Sequence, residues 1–205
     1  MKVVTLASTK GGSGKSTLAS CLAYEAANEG PAWLLDLDPQ QSLAAWWRLR
    51  GGPRNPALFT DTTSIEKALR KLGAETEGTL IVDTPNSPMV LIEAAISDSD
   101  CIIIPMQPGP FDVLSSDAVN QIVVDCQAQH RTIRVVNRAA KRNPLVADAI
   151  ETIEASGGGS PIVIEERYQY QVATLEGKVG QEKSKPIREE IAKLWRTVKE
   201  VLSGR

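Results

Sequence analysis

The segment Thr9–Thr17, with the sequence TKGGSGKST, contains the residues whose types and spacing are best suited to chemistry. Its three glycines allow the backbone to turn N–H groups inward around phosphate oxygens. Lys15 can reach the β- and γ-phosphates of a nucleotide, and the Ser16 hydroxyl can ligate Mg²⁺. The segment predicts a phosphate-binding P-loop. The predicted nucleotide-binding residues here are Lys10, Gly11, Gly12, Ser13, Gly14, Lys15, Ser16 and Thr17.

The loop departs from the strict P-loop pattern, which places a glycine where this chain has Thr9, and it carries a second lysine, Lys10. The apolar run Val3–Ala7 leads into the loop, and the helix-compatible run Leu18–Asn28 follows it. A strand, a glycine-rich turn and a helix form the context expected of a P-loop. The alternative is a glycine-rich turn that binds nothing, and a lysine followed by two hydroxyl residues disfavours it.

Two later segments supply carboxylates. Asp36 and Asp38 end an apolar run before Pro39, where Asp38 can orient a water against a γ-phosphate. A solvated acidic turn is the alternative there. The run Thr79–Val82 leads into Asp83, the Walker B form, in which the Asp holds Mg²⁺ directly or through a water. The loop that follows is placed to respond to the γ-phosphate. The predicted metal-site residues are Ser16, Asp38 and Asp83.

Short apolar runs alternate with helical stretches along the whole chain, and most of the runs lack polar alternation. This pattern predicts an α/β fold with a doubly wound, mostly parallel sheet flanked by helices, in one domain over residues 1–205. The predicted strands are Val3–Ala7, Trp33–Leu37, Leu80–Val82, Cys101–Pro105, Ile133–Val136 and Ile162–Ile164. The predicted helices are Lys15–Asn28, Ser42–Arg50, Ser64–Leu72, Met89–Ser97, Val113–Gln129, Leu145–Ala155 and Pro186–Leu202.

Composition narrows the class of protein. A chain of 205 residues can bury a substantial core, and a net charge of −2 predicts neither nucleic-acid nor membrane binding by global charge. Three scattered cysteines, Cys21, Cys101 and Cys126, are interpreted as buried thiols of a reducing compartment. The N-terminus begins as a strand rather than a signal peptide, and no apolar run reaches membrane-spanning length. These features predict a cytoplasmic location.

Four segments resemble, in order and spacing, the ParA/MinD family of deviant Walker A ATPases: Lys10–Ser16, Asp36–Gln40, Ile81–Pro85 and Ile104–Pro108. The segment Gln107–Asp112 before a long helix is similar to the small plasmid-type, ParF-like ParA proteins in particular. The resemblance implies a slow Mg²⁺-dependent ATPase that forms an ATP-sandwich homodimer. It further implies an association with the nucleoid, and a ParB-like or other adaptor that stimulates hydrolysis.

Residue roles follow from the same resemblance. Lys10 is expected to cross the dimer interface to the partner's nucleotide and to act catalytically with Lys15 and Asp38. Asp38 is expected to position the attacking water, and Asp83 to support Mg²⁺. Asn137, at the end of a predicted strand, fits the family position that hydrogen-bonds adenine.

The surface offers two further candidates. The stretch 131–142 contains five basic and no acidic residues, and is either a solvated face or part of a patch for non-specific DNA formed by Arg134, Arg138 and Arg142. The C-terminal helix is amphipathic, which favours docking on the sheet but leaves a MinD-like membrane-associated positioning ATPase as the alternative function. A related metabolic or metal-handling enzyme is disfavoured, because the chain has neither paired cysteines nor a second P-loop.

Overall fold

The computed structural model describes residues 1–60, 62–73, 76–109, 112 and 116–204. Seven strands form one sheet in the order β3-β2-β4-β1-β5-β6-β7, and every pair of neighbours is parallel. The strands are β1 Lys2–Leu6, β2 Ala32–Asp36, β3 Ala57–Phe59, β4 Thr79–Asp83, β5 Cys101–Met106, β6 Thr132–Ala139 and β7 Ile162–Glu165.

Helices cover both faces of this sheet, as the long apolar strands require. The described helices are α1 Lys15–Glu29, α2 Ser42–Leu49, α3 Ile65–Leu72, α4 Met89–Ser97, α5 Asp117–Asp125, α6 Leu145–Ala155, α7 Tyr168–Leu175, α8 Gly180–Lys183 and α9 Lys185–Leu202, with a 3₁₀ turn at Gln129–Arg131. The predicted α/β class is therefore confirmed, and the described sheet is wholly parallel.

The register of the central strands brings the predicted carboxylates to one edge of the sheet. Leu6 at the end of β1 lies opposite Asp83 at the end of β4, and Asp83 lies opposite Asp36 at the end of β2. Parallel strands present their carboxyl ends at the same edge, which is where ligands bind in such sheets. The P-loop follows β1 directly, so it emerges beside both aspartates.

The C-terminal helix α9 packs its apolar side into the core, as predicted. Ile187, Ile191, Leu194, Trp195 and Val198 are each at most 5% exposed and belong to the cluster that also contains α1 residues. The face available for a membrane in the alternative function is thus already used for packing. Among the described residues, no helix has both the length and the apolarity needed to cross a membrane.

Some elements differ from the predictions. Strand β3 and helices α7 and α8 were not predicted. The segment predicted as helix Val113–Gln129 is described as helix only over Asp117–Asp125; residues 113–115 lie outside the described residues, and Gln127 has a φ of 53°. Cys21 and Cys101 are buried, and burial raises the pKa of each thiol to about 12. The prediction was wrong for Cys126, which is partly exposed beside Ser97.

Candidate nucleotide-binding site

Side chains from the ends of β5 and β6 hold the P-loop in place. Asn137 Nδ2 donates to the Ser13 carbonyl oxygen at 2.8 Å, and Gln107 Nε2 donates to the Gly12 carbonyl oxygen at 3.0 Å. Gly14 has a φ of +99°, and a Cβ at this position would lie 2.1 Å from Asn137 Nδ2. Glycine is therefore required here both for the backbone conformation and for the close approach of the amide. The anchored carbonyl groups leave the loop's N–H groups as its means of binding phosphate.

Lys15 lies at the first turn of α1 and is buried, with 6% of its surface exposed. Its Nζ donates to Asn86 Oδ1, from the loop after β4. Burial lowers the pKa of Lys15, and the nearby carboxylates of Asp83 and Asp38 oppose that shift. The helix N-terminus adds its positive dipole end at the same point, so the arrangement favours a bound anion.

Asp83 and Ser16 fit the requirements of a magnesium site. Ser16 Oγ donates to Asp83 Oδ2 at 2.5 Å, while Asp83 Oδ1 is buried with no hydrogen-bond partner among the described residues. Burial raises the pKa of Asp83 to about 7, opposed by the Ser16 hydrogen bond and reinforced by Asp36. A buried carboxylate oxygen without a partner, next to a hydroxyl, is the type of oxygen pair that Mg²⁺ accepts.

The two aspartates after β2 have different local roles. Asp36 accepts from the Asp38 N–H at 3.1 Å and from the Ala44 N–H at 2.9 Å, so it shapes the turn and caps α2. Burial raises the pKa of Asp36, and these hydrogen bonds oppose the rise. Asp38 Oδ1 accepts from the Gln40 N–H at 2.9 Å. The Asp38 carboxylate is near enough to Lys15 to oppose, together with Asp83, the lowering of the Lys15 pKa.

Lys10 points toward the loop after β5 rather than toward the phosphate site of its own chain. Its Nζ pairs with Asp112 Oδ2 at 2.7 Å, and 41% of the lysine side chain is exposed. The Asp112 N–H donates to the Gly109 carbonyl oxygen at 2.9 Å, which fixes the carboxylate relative to the strand end. The predicted interchain role of Lys10 stays a prediction, and within one chain its partner is Asp112.

A cavity of about 420 Å³ opens beside the P-loop, between the start of α1 and helix α7. Gly14, Thr17 and Asn137 line its inner end, next to the anchored loop. This position, adjoining the phosphate site, is suited to a nucleoside. The remaining lining residues are Leu18, Arg138, Glu165, Glu166, Arg167, Tyr170, Gln171, Thr174 and Leu175.

The predicted DNA patch is wrong at one of its three residues. Arg134 is only 8% exposed; its Nε and Nη2 donate to Asn120 Oδ1 at 3.2 and 3.1 Å, and its Nη1 donates to the Gly158 carbonyl oxygen at 3.0 Å. Burial also lowers its pKa. This guanidinium ties β6 to neighbouring elements and is not available to a DNA phosphate. Arg138 and Arg142 are exposed, and Arg138 lines the cavity.

The sequence did not predict the α7 residues that line the cavity. It also did not predict the contacts that three side chains make with the P-loop. Asn86, Gln107 and Asp112 lay in segments singled out by pattern, but nothing in their spacing identified their partners. Tyr170 and its neighbours on α7 gave no signal, because no motif marks that helix. Trp46 and Trp47 are packing residues: their indole N–H groups donate to the backbone carbonyl oxygens of Lys178 and Pro56, respectively.

Comparison with known proteins agrees with this site. Residues 4–178 match the CobQ/CobB/MinD/ParA nucleotide binding domain. Protein ParA of Rhizobium radiobacter is 35% identical over 128 residues, which is 61% of this chain and 57% of that protein. The chain thus spans little more than half of this relative's length. Maintenance of carboxysome distribution protein A of Halothiobacillus neapolitanus is 27% identical over 184 residues, or 85% of this chain and 84% of that one.

A solved structure shows the same fold over nearly the whole chain. The plasmid partition protein of Borrelia burgdorferi B31 bound to AMPPNP superimposes with a TM-score of 0.77 at 20% identity, covering 99% of this chain and 98% of that one. This likeness confirms the predicted P-loop NTPase fold. Because the family match covers most of the sequence and includes the P-loop, Asp38, Asp83 and Asn137, the chain belongs to the ParA/MinD family of nucleotide-binding proteins.

Proposed function

We propose that the protein is a Mg²⁺-dependent ATPase that dimerises on ATP, binds non-specific DNA as a dimer, and positions or segregates a cargo. An adaptor protein, ParB-like or of another type, stimulates hydrolysis and so releases the dimer from DNA. The observation that carries the proposal is the joint placement of the P-loop, Lys15 and the Ser16–Asp83 pair at one edge of the sheet, beside a cavity suited to a nucleoside.

Each residue around the nucleotide has its own proposed role. Lys15 binds the β- and γ-phosphates, and Ser16 and Asp83 hold Mg²⁺, which neutralises charge on phosphate oxygens when bound. Asp38 accepts a hydrogen bond from the attacking water and orients it. One N–H of the Asn137 side-chain amide donates to the Ser13 carbonyl oxygen, and its Oδ1 is left to accept from the adenine amino group.

Dimerisation is assigned to Lys10. The Lys10 side chain is partly exposed at the same edge of the sheet, so its ammonium can contact the triphosphate bound to a second chain. A cation supplied in this way ties association to the nucleotide and stabilises charge that develops during phosphoryl transfer. The pair with Asp112 must open for this to happen.

DNA binding is assigned to the exposed basic residues after β6. Lys141 has 75% of its side chain exposed and only a loose pair with Glu165, at 3.7 Å, and Arg142 is exposed as well. Arg138 belongs to this surface and also lines the cavity. Arg134 is buried, so it is not part of the proposed DNA-binding surface. One chain offers few cations, so a dimer that doubles them would bind DNA far more strongly than a monomer.

The relatives suggest the type of cargo. Two of the comparisons are a plasmid partition protein and a protein that maintains carboxysome distribution, so a DNA replicon or a protein assembly is the expected cargo class. With either cargo, we expect the protein to act in the cytoplasm, on the nucleoid. A MinD-like membrane role has less support, because the apolar face of α9 is buried.

The test is co-sedimentation of the purified protein with DNA and with anionic liposomes, each with ATP, ADP or no nucleotide. The proposal expects retention on DNA with ATP only, and loss of retention in Lys10→Ala and in a Lys141→Ala/Arg142→Ala double variant. Lys193→Ala/Arg196→Ala on α9 removes the same charge from another exposed surface and is the matched control. Retention on liposomes instead of DNA, or retention independent of nucleotide, would refute the proposal.

A further inference from the structure

Asn86, in the loop after β4, lies against the P-loop, next to both Gly11 and Lys15. Its Oδ1 accepts from Lys15 Nζ, and its Nδ2 lies 3.6 Å from the point that a Cβ on Gly11 would occupy. The carboxamide therefore spans the gap between the start of the P-loop and the lysine at its end. This is where a P-loop lysine meets the outer phosphates of a nucleotide.

The Asn86 contact satisfies a buried cation. Lys15 is 6% exposed, so its ammonium has little access to water and depends on protein groups for hydrogen bonds. Asn86 supplies a carbonyl oxygen to the ammonium that a phosphate oxygen would otherwise contact. A hydrogen bond to a charged donor is worth more than one between neutral groups, so giving up this bond carries a cost.

We propose that Asn86 competes with the terminal phosphate of ATP for Lys15 and so sets the preference of the site between ATP and ADP. The γ-phosphate must displace the carboxamide to reach Lys15. The inner phosphates are bound by the loop's N–H groups, and the Lys15 ammonium has three N–H donors, so the β-phosphate can accept from one of them while Asn86 keeps another. ADP therefore binds without that cost, and ATP binds with it. The inference rests on nucleotide binding at this loop, which the proposed function shares.

The Asn86 side chain is neutral, so it competes by occupying the Lys15 ammonium and not by repelling the phosphate. Two replacements separate these properties. Asn86→Ala removes the acceptor and frees the gap, so an ATP analogue should bind more tightly. Asn86→Asp keeps the size but adds a negative charge, which strengthens the hold on Lys15 and repels phosphate. Gln107→Ala is the control for a carboxamide that contacts the P-loop elsewhere, since Gln107, after β5, donates to the Gly12 carbonyl oxygen.

The experiment is calorimetric titration of the full chain with Mg-AMPPNP and with Mg-ADP. It is run in a Lys10→Ala background, so that the dimerisation assigned to Lys10 does not contribute to the measured affinity. For Asn86→Ala we expect AMPPNP to bind about tenfold to a hundredfold more tightly, from the loss of one charged hydrogen bond, and ADP to stay within about twofold. Asn86→Asp should weaken AMPPNP binding, and Gln107→Ala should weaken both ligands.

The outcomes are distinguishable. Weaker AMPPNP binding by Asn86→Ala would show that Asn86 helps to hold the γ-phosphate, and an equal change for both nucleotides would show no preference for the terminal phosphate; either overturns the inference. If the parent protein binds neither nucleotide, the proposed function itself fails. Asn86 is partly exposed on a loop, and Asn86→Ser provides a second, more conservative test of the same sign.

Discussion

Replacing Asp112 with asparagine should strengthen ATP-dependent dimerisation. In the single chain, Lys10 Nζ lies 2.7 Å from Asp112 Oδ2. In the proposed dimer the same ammonium contacts the partner's triphosphate, so it must leave this carboxylate. A contact present only in the monomer stabilises the monomer, and its removal shifts the equilibrium toward the dimer. Asparagine keeps the size of the side chain and removes only its charge.

The size of the effect follows from the exposure of the pair. Lys10 has 41% of its side chain exposed and Asp112 has 13%, so the pair is neither buried nor fully solvated. Such a pair is worth about 1 kcal/mol, near the upper end for exposed ion pairs. Each dimer opens two of them, which gives about 2 kcal/mol, or roughly a 30-fold decrease in the dimer dissociation constant. Added salt should reduce the difference, because it screens the pair.

The assay is sedimentation velocity over a range of protein concentrations with saturating Mg-AMPPNP. Asp117→Asn, at an exposed position at the start of α5, removes the same charge and is the control expected to leave the dissociation constant unchanged. Lys10→Ala should abolish the dimer, and Asp112→Asn should then have no further effect. A weaker dimer in Asp112→Asn would refute the reasoning, because it would mean that the carboxylate supports the interface.

Three further outcomes follow from the structure. Gly14→Ala should reduce nucleotide binding by more than about tenfold and cost about 1–3 kcal/mol of stability, measured by titration and thermal unfolding, because a Cβ there displaces Asn137. Arg134→Ala should lower the free energy of unfolding by about 1–3 kcal/mol in urea, while Arg142→Ala leaves it unchanged, because only the former is buried and hydrogen-bonded. A thiol reagent should modify Cys126 in the native protein and all three cysteines only in denaturant, because the other two are buried.

Much of the fold and the P-loop could be predicted from the sequence, because each is encoded within a short stretch of consecutive residues. A P-loop needs its glycines, lysine and hydroxyl within one short segment, and a buried parallel strand needs a continuous apolar run. Once those runs are taken as neighbouring parallel strands, their carboxyl ends must meet at one edge. That geometry is enough to place Asp83 near Lys15, and the hydrogen bond from the neighbouring Ser16 to Asp83 confirms it.

Arg134 shows where local patterns fail. It was grouped with the basic residues around it, yet it lies in the middle of a predicted strand that is flanked by two others. A side chain there must enter the layer between sheet and helix, and its charge must find partners in the fold. Asn120 and Gly158 are distant in sequence, so their hydrogen bonds to the guanidinium could not be read from the chain. The contacts of Lys10 and Lys15 were unpredictable for the same reason.

The two lysine contacts lead to a test of independence. Asn86 holds Lys15 and is expected to set the affinity for ATP, whereas Asp112 holds Lys10 and is expected to set the affinity of the dimer. In the double variant, each substitution should have the same effect as it has alone. Asn86→Ala should tighten AMPPNP binding, measured at protein concentrations far below the dimer dissociation constant. Asp112→Asn should tighten the dimer, measured at saturating AMPPNP. Non-additivity above about 0.5 kcal/mol in either titration would mean that the two loops move as one unit. Opening of one contact would then already open the other, and neither residue alone would control its lysine.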